Sequence, residues 1–270
     1  LVTVSTNSDF SEELGIAETA AREAGEIVMG LFGKDYRIEE KSKGNPVTTA
    51  DLEANRTIRE IIRGRYPGDG WLSEEDADNL DRLNASRVWV VDPIDGTKEF
   101  IEGVPQFAVS IGLVVDGQPM LGVVYNPATD RLFQAAKGHG AVLNGQPIHI
   151  STREQIEGAF LLVSRSEPKR KFESFAGLCK LEPTGSIAYR LAQVAGGEGD
   201  ATLTFRSLRE WDVCAGVLIV EEAGGMVLDG EGNRLVFNRP EARYRGVVAS
   251  NRTLAKSLQR MLAQILSEKR

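Results

Sequence analysis

An apolar run, Val88-Trp89-Val90-Val91, passes directly into Asp92-Pro93-Ile94-Asp95-Gly96-Thr97. No other stretch narrows the fold and the chemistry of the chain as far. The run reads as a buried strand. Proline fixes φ and removes a donor, so strand pairing is expected to stop there, leaving both aspartates on a rigid turn at the strand end. Asp92 and Asp95 can then face one point in space, joined by the carbonyl of Ile94. Hard oxygen donors that converge in this way suit Mg²⁺ rather than a soft metal. Gly96 lets backbone N–H groups approach an anion, and Thr97 brings a hydroxyl to where a water would need orienting. Asp and Gly after a strand are also ordinary turn chemistry, because Asx side chains bond their own backbone. The six residues by themselves leave both readings open.

Around this element the chain has the length for a substantial core, as one large domain or two smaller ones, with 270 residues of which 41% are hydrophobic. A helix is expected from Phe10 to Phe32 and another from about Ala50 to Arg65, with Lys41–Pro46 as a polar loop between them. Strand-like runs at Val88–Val91, Phe107–Val115, Met120–Tyr125 and Arg131–Ala135, separated by turn signals, predict an antiparallel sheet. From Phe160 onward strands and helices alternate, which predicts an α/β half. Asp212 is expected to cap a helix that ends at Gly224-Gly225, and Arg252–Ser267 to form the last helix. The boundary is placed near 155, giving an α+β half over 1–155 and an α/β half over 156–270. The site is expected in the crevice between them.

The net charge of −7 argues against a nucleic-acid polymer as partner, but a bound metal can reverse the local field for a small anion. With two histidines, His139 and His149, the chemistry has to be built from carboxylates. The two cysteines, Cys179 and Cys214, read as core residues and suit a reduced, cytoplasmic setting. Leu1–Asp9 is short and polar, and no run reads as a signal peptide or a membrane span.

The wider segment Trp89-Val90-Val91-Asp92-Pro93-Ile94-Asp95-Gly96-Thr97-Lys98-Glu99-Phe100-Ile101 resembles the signature of the inositol monophosphatase superfamily of Mg²⁺-dependent, lithium-sensitive phosphatases. The Lys98-Glu99-Phe100 continuation looks most like the CysQ-type 3′(2′),5′-bisphosphate nucleotidase branch. The resemblance implies the layered αβαβα sandwich of the inositol monophosphatase and fructose-1,6-bisphosphatase type, with two or three Mg²⁺ ions per site. It is carried by three further motifs in family order. Leu72-Ser73-Glu74-Glu75-Asp76 is by itself a solvated acidic loop. The resemblance makes Glu74 a metal ligand and Glu75 its supporting neighbour. Trp211-Asp212-Val213-Cys214-Ala215-Gly216 looks like the element whose aspartate completes the metal set, a link that spacing alone could not make. Pro46-Val47-Thr48-Thr49-Ala50-Asp51 is similar to the element whose aspartate bonds the threonine of D-G-T, so Asp51 is paired with Thr97 as the water-orienting couple.

The same resemblance implies a small phosphorylated metabolite as substrate, no membrane, and a monomer or homodimer. Adenosine 3′,5′-bisphosphate, cleaved to AMP and phosphate, is the expected substrate. An inositol-1-phosphate or broad sugar-phosphate phosphatase is the alternative, and a non-catalytic phosphometabolite-binding protein a remote one. Gly96 and Thr97 are expected to receive the phosphate. Gly185 and Ser186, in Thr184-Gly185-Ser186-Ile187 ahead of a helix, are expected at the substrate too, although a simple helix start fits them equally. Ser164-Arg165-Ser166 resembles the S-R-S-H run of many nucleotidases, but Glu167 stands in place of the histidine. The basic run Lys169-Arg170-Lys171 could attract a second phosphate or simply be solvated.

Overall fold

Small and β-branched side chains at helical spacing, Ala17, Ala20, Ala21, Ala24 and Val28, are buried on one face of α1 (Ser11–Leu31). The computed structural model describes residues 10–42 and 45–267, so Leu1–Asp9 and the Lys43-Gly44 part of the expected loop lie outside the described residues. Where that loop is expected, β1 (Ile38–Ser42) and β2 (Asn45–Thr48) pair as an antiparallel hairpin. All of β1 is exposed, so no alternation of burial marks it in the sequence. A capping box opens α2 (Thr49–Arg65): the Thr48 hydroxyl accepts from the Asp51 N–H, and the Asp51 carboxylate accepts from the Thr48 N–H.

A seven-stranded sheet follows in sequential order: β3 (Gly70–Ser73), β4 (Arg87–Asp95), β5 (Ala108–Val115), β6 (Gln118–Asn126), β7 (Arg131–Ala136), β8 (Ala141–Leu143) and β9 (Gln146–Ile148). The short α3 (Thr97–Ile101) lies between β4 and β5. β3 runs parallel to β4 and the remaining neighbours are antiparallel. Pairing does not stop at Pro93, contrary to expectation. β4 continues to Asp95, opposite Ala108, with its register shifted between Asp92 and Asp95. A bulge is one of the few places in a sheet that tolerate a proline.

The second sheet contains β10 (Phe160–Ser164), β11 (Lys180–Thr184), β12 (Ala201–Arg209), β13 (Met226–Asp229) and β14 (Arg243–Ser250), ordered β11-β10-β12-β14-β13. α4 (Ile187–Ala195), α5 (Glu210–Glu222) and α6 (Arg252–Ser267) accompany it. The first sheet is drawn from residues 70–148 and the second from 160–250.

Side-chain alternation stacks these elements into five layers. Trp89 and Val91 of β4 share a core with Ala20 of α1 and Ile58 of α2, whereas Val88 and Val90 share one with Leu191 of α4 and Leu218 of α5. That second core also takes in Val247 of β14, so α4 and α5 are sandwiched between the two sheets. The far face of the second sheet is covered by Leu254, Leu258 and Leu262 of α6. The order is helices, sheet, helices, sheet, helix: the expected αβαβα sandwich. α5 lies so close to β6 that a Cβ on Gly122 would stand 2.5 Å from the Ala215 carbonyl oxygen. Cys214 is buried in the middle layer, while Cys179 is only half-buried at the margin of the third core rather than inside it. No helix among the described residues is long and apolar enough to cross a membrane.

Candidate active site

Parallel pairing of β3 with β4 brings the residue after Ser73 alongside the end of β4, where the Glu74 N–H donates to the Val91 carbonyl at 3.2 Å. Glu74 thereby meets Asp92, which sits in the bulge with its Oδ1 accepting from the Ile94 N–H at 3.0 Å. The third carboxylate is Asp212. It does not take the N-cap of α5 as expected: Arg209 does, three residues earlier, and the helix begins at Glu210. Asp212 lies in the first turn, and its Oδ2 accepts from the Arg209 N–H at 2.7 Å. Carboxylate oxygens of Glu74, Asp92 and Asp212 all lie within 4.8 Å of one another. They face a cleft of about 560 Å³ that runs between the two halves, lined also by Asp95, Thr97 and Ser186.

Asp95 is tied to the second half. Its Oδ2 accepts from the Ser186 hydroxyl and from the Ala188 N–H, both at 2.6 Å. The Gly185 N–H donates to Gln106 Oε1 at 2.9 Å. The start of α4 thus bonds these groups to partners inside the protein, as a simple helix start would, while Gly185 and Ser186 also line the cleft. Gly96 has a left-handed φ of 101°, and a Cβ there would lie 3.0 Å from the Gln106 carbonyl. This turn aims Thr97, whose Oγ1 is 2.9 Å from Asp51 Oδ1 and 3.2 Å from the Ile94 carbonyl oxygen. The Thr48 N–H and hydroxyl hold the other oxygen of Asp51 at 2.7 and 2.6 Å.

Burial of so much like charge moves the carboxyls far from their usual range. Burial first, then the charges of Glu74, Asp95 and Asp212, push Asp92 well upward. Burial followed by Asp95 and Glu74 does the same to Asp212. Asp95 rises to about 6, through burial that outweighs its bonds from Ser186 and Ala188. Glu75 rises to about 7, again mainly by burial. Asp51 is raised by burial, with the Thr48 and Thr97 bonds pulling the other way.

A cation relieves this strain. The Lys41 ammonium, from the unforeseen hairpin, lies 2.7 Å from Glu74 Oε1 and 2.8 Å from Glu75 Oε1. The donors at the centre are all hard oxygens with mutual repulsion, a set that fits Mg²⁺. Glu74, Asp92 and Asp212 would hold it, with Asp95 and the Ile94 carbonyl beside them.

The shifts predict an inverted pH response in metal-free protein. A carboxyl whose folded pKa lies above its unfolded value of about 4 binds more protons folded than unfolded, so stability falls as pH rises. For Asp95 and Glu75 that window runs from about 4 up to about 6 and 7. Melting temperature in chelator should fall from pH 5 to pH 8, by on the order of 2 kcal/mol of stability, and Mg²⁺ should restore most of it. A flat profile in chelator would show that the cluster is already neutralised by the protein.

Lys41 and Arg190 are among the charged side chains of the cleft to which the sequence did not point. Lys41 lay in an apparent loop. Arg190 is 3% exposed in α4 and donates to the Ser186 carbonyl, Thr202 Oγ1 and the Leu203 carbonyl. A lone arginine among Leu191, Ala192 and Val194 was the available signal.

Comparison with known proteins agrees with this geometry. The profile of the inositol monophosphatase family matches residues 9–270. The chain is 38% identical over 230 residues to inositol-1-monophosphatase of Synechocystis, covering 82% of this chain and 79% of the relative. It is 36% identical over 237 residues to inositol monophosphatase 2 of Solanum lycopersicum, covering 83% and 89%. The structure of an IMPase from Thermotoga maritima superposes with a TM-score of 0.85 at 30% identity, covering 95% of this chain and 99% of the other. The carboxylate cluster, the five-layered fold and these likenesses lead to one assignment: the chain belongs to the inositol monophosphatase family.

Proposed function

We propose that the chain is a Mg²⁺-dependent phosphomonoesterase acting on phosphate esters of small polyhydroxylated molecules, inositol 1-phosphate among them. The observation that carries this reading is the convergence of Glu74, Asp92 and Asp212 beside the Thr97–Asp51 pair. The names of the relatives favour the inositol ester over the nucleotide as reference substrate. Hydrolysis of a phosphate ester asks the protein mainly for positioning and charge neutralisation. Divalent ions, two or three of them, would supply Lewis acidity at the phosphate oxygens, at the leaving oxygen and at a water. Thr97 Oγ1 would accept a hydrogen bond from that water and pass its own proton's bond to Asp51, which fixes the direction of attack. Gly96 and Thr97 N–H groups would meet the phosphate, and Glu75 with Lys41 would hold Glu74 in place. Attack by water leaves no phosphoenzyme.

A bisphosphate nucleotidase is the second reading, favoured by Lys98-Glu99-Phe100 and by arginines on the cleft wall. On either reading Li⁺ should inhibit, and the unpaired Cys179 and Cys214 suit the reduced, cytoplasmic setting expected. Phosphate release from inositol 1-phosphate should require Mg²⁺ and vanish in chelator. No release from it, from nucleotide phosphates or from sugar phosphates would leave a binding protein on this fold.

A further inference from the structure

Ser186 has a backbone that a residue with a side chain seldom adopts. Its φ is 50° and its ψ 120°, outside the β, right-handed and left-handed wells alike. Such a conformation persists only where the surroundings over-determine it, and it gathers at functional sites. Here it aims two donors at one oxygen. Ser186 Oγ accepts from the Tyr189 N–H at 3.0 Å, so its own proton is left for Asp95 Oδ2 at 2.6 Å. The Ala188 N–H donates to that same oxygen, also at 2.6 Å. Both bonds fall on Oδ2, which leaves Asp95 Oδ1 for a cation.

The turn is restrained from both halves. From the first, Gln106 Oε1 accepts from the Gly185 N–H at 2.9 Å. From the second, Arg190 takes the Ser186 carbonyl twice, with its backbone N–H at 3.1 Å and its Nε at 3.4 Å. Its Nη1 reaches β12, donating to Thr202 Oγ1 at 3.0 Å and to the Leu203 carbonyl at 3.4 Å. The side chain therefore bridges the Ser186 turn to a strand of the second sheet. Packing gives no reason for an arginine here. Arg190 is 3% exposed, and its α4 neighbours Leu191, Ala192 and Val194 are buried and apolar. Among the described residues it makes no ion pair; Glu167, Asp95 and Glu99 act on it only through their fields, and Arg206 opposes them. Burying a charge is unfavourable unless it is paired and hydrogen-bonded, and methionine would fill the same space without that penalty. The grip on Ser186 is what an apolar side chain could not supply.

Resting on the metal-dependent phosphomonoesterase reading above, we infer that Arg190 is a positioning residue for the metal site. Anchored on β12, it holds Ser186 in the strained turn that orients Asp95, so that Asp95 Oδ1 stays available to Mg²⁺. Arg190 acts through Ser186 and Asp95. Groups that orient a metal ligand in this way typically contribute 10- to 100-fold in metal affinity.

The test is a double-mutant cycle read in Mg²⁺ affinity, from the rise of melting temperature with Mg²⁺ concentration, which needs no turnover. Arg190→Met and Ser186→Ala should each weaken the apparent Mg²⁺ affinity by about tenfold or more. Because both break one chain of contacts, the double variant should lie within about threefold of the weaker-binding single variant. Arg190→Lys keeps the charge but loses the planar fork that reaches Ser186 and β12 together, and should resemble Arg190→Met. A purely structural role would lower the melting temperature in chelator without moving the Mg²⁺ affinity. That outcome overturns the inference. So do effects that multiply in the double variant, and wild-type affinity in Arg190→Lys, which would assign the effect to charge. If Arg190→Met does not fold, Arg190→Lys takes its place in the cycle under the same criteria. Wild type that binds Mg²⁺ but hydrolyses no phosphate ester overturns the phosphatase reading alone, and the cycle still decides Arg190. Wild type that gains nothing from Mg²⁺ overturns both.

Discussion

Replacing Asp92 by asparagine is expected to cut Mg²⁺-supported phosphate release by more than a hundredfold while raising the melting temperature of the metal-free protein. The two effects have one cause. Asp92 is 1% exposed and faces Glu74 and Asp212 across oxygen separations within 4.8 Å. Without metal, each ionised carboxylate raises the cost of ionising the next, which is why burial and the charges of Glu74, Asp95, Asp212 and Glu75 drive Asp92 upward. Asparagine removes one member of that repulsion and keeps the Oδ1 acceptor for the Ile94 N–H. Relief of about 1 kcal/mol corresponds to roughly 2–4 °C in a chain of this size. Loss of a group that merely supports a metal ligand already costs about 10- to 100-fold, so loss of a direct ligand should exceed it. Thermal melts of both proteins in chelator and in Mg²⁺ separate the terms: the variant should melt higher in chelator and gain less from Mg²⁺. A variant that melts lower in chelator would mean that Asp92 is structural, and the repulsion argument would fail with it.

The same physics explains which parts of the molecule are legible in the sequence. β4 announces itself because both its faces are buried, so Val88-Trp89-Val90-Val91 is apolar throughout. Glu74 directly follows the strand that pairs with the strand of Asp92, and the Asx chemistry of Asp92 is local. Asp212 is 120 positions from Asp92 and reaches it only because α5 is buried between the sheets. No spacing rule spans that distance; the link came from the resemblance of the Trp211-Asp212 element. Thr97 and Asp51 were paired in the same way, and the structure places their oxygens 2.9 Å apart.

What escaped was structure without a periodic signature. β1 is exposed along its whole length, so nothing in it distinguishes strand from loop, and Lys41 was hidden with it. Pro93 suggested a strand end, because the rule against proline in a sheet says nothing about a bulge. The Gly185-Ser186 turn fitted a substrate contact and a simple helix start equally; it lines the cleft, and Gln106 and Asp95 from the first half accept from its donors. Glu167 stands where the resembled run has histidine, and its buried carboxylate bonds Thr204 and Phe205. For the Gly185-Ser186 turn the missing information was a contact between the two halves, which local sequence does not encode.

Replacing Thr97 by alanine should leave metal binding and fold in place and lower kcat by about 10²–10⁴, the usual contribution of a group that positions or accepts a proton. Thr97 is outside the three-carboxylate cluster; its hydroxyl touches Asp51 and the Ile94 carbonyl. Asp51 keeps two bonds from Thr48 after the change, so the variant loses about 1 kcal/mol of stability for one hydrogen bond. The stabilisation by Mg²⁺ should match wild type. Thr97→Ser, which retains the hydroxyl, should recover most of the turnover, and Asp51→Asn should resemble Thr97→Ala in kcat. The contact with the Ile94 carbonyl offers a contrary outcome. If Thr97→Ala weakens the Mg²⁺-dependent rise in melting temperature as much as it weakens turnover, the hydroxyl serves to aim that carbonyl at a metal. Orientation of the attacking water would then have to come from another group.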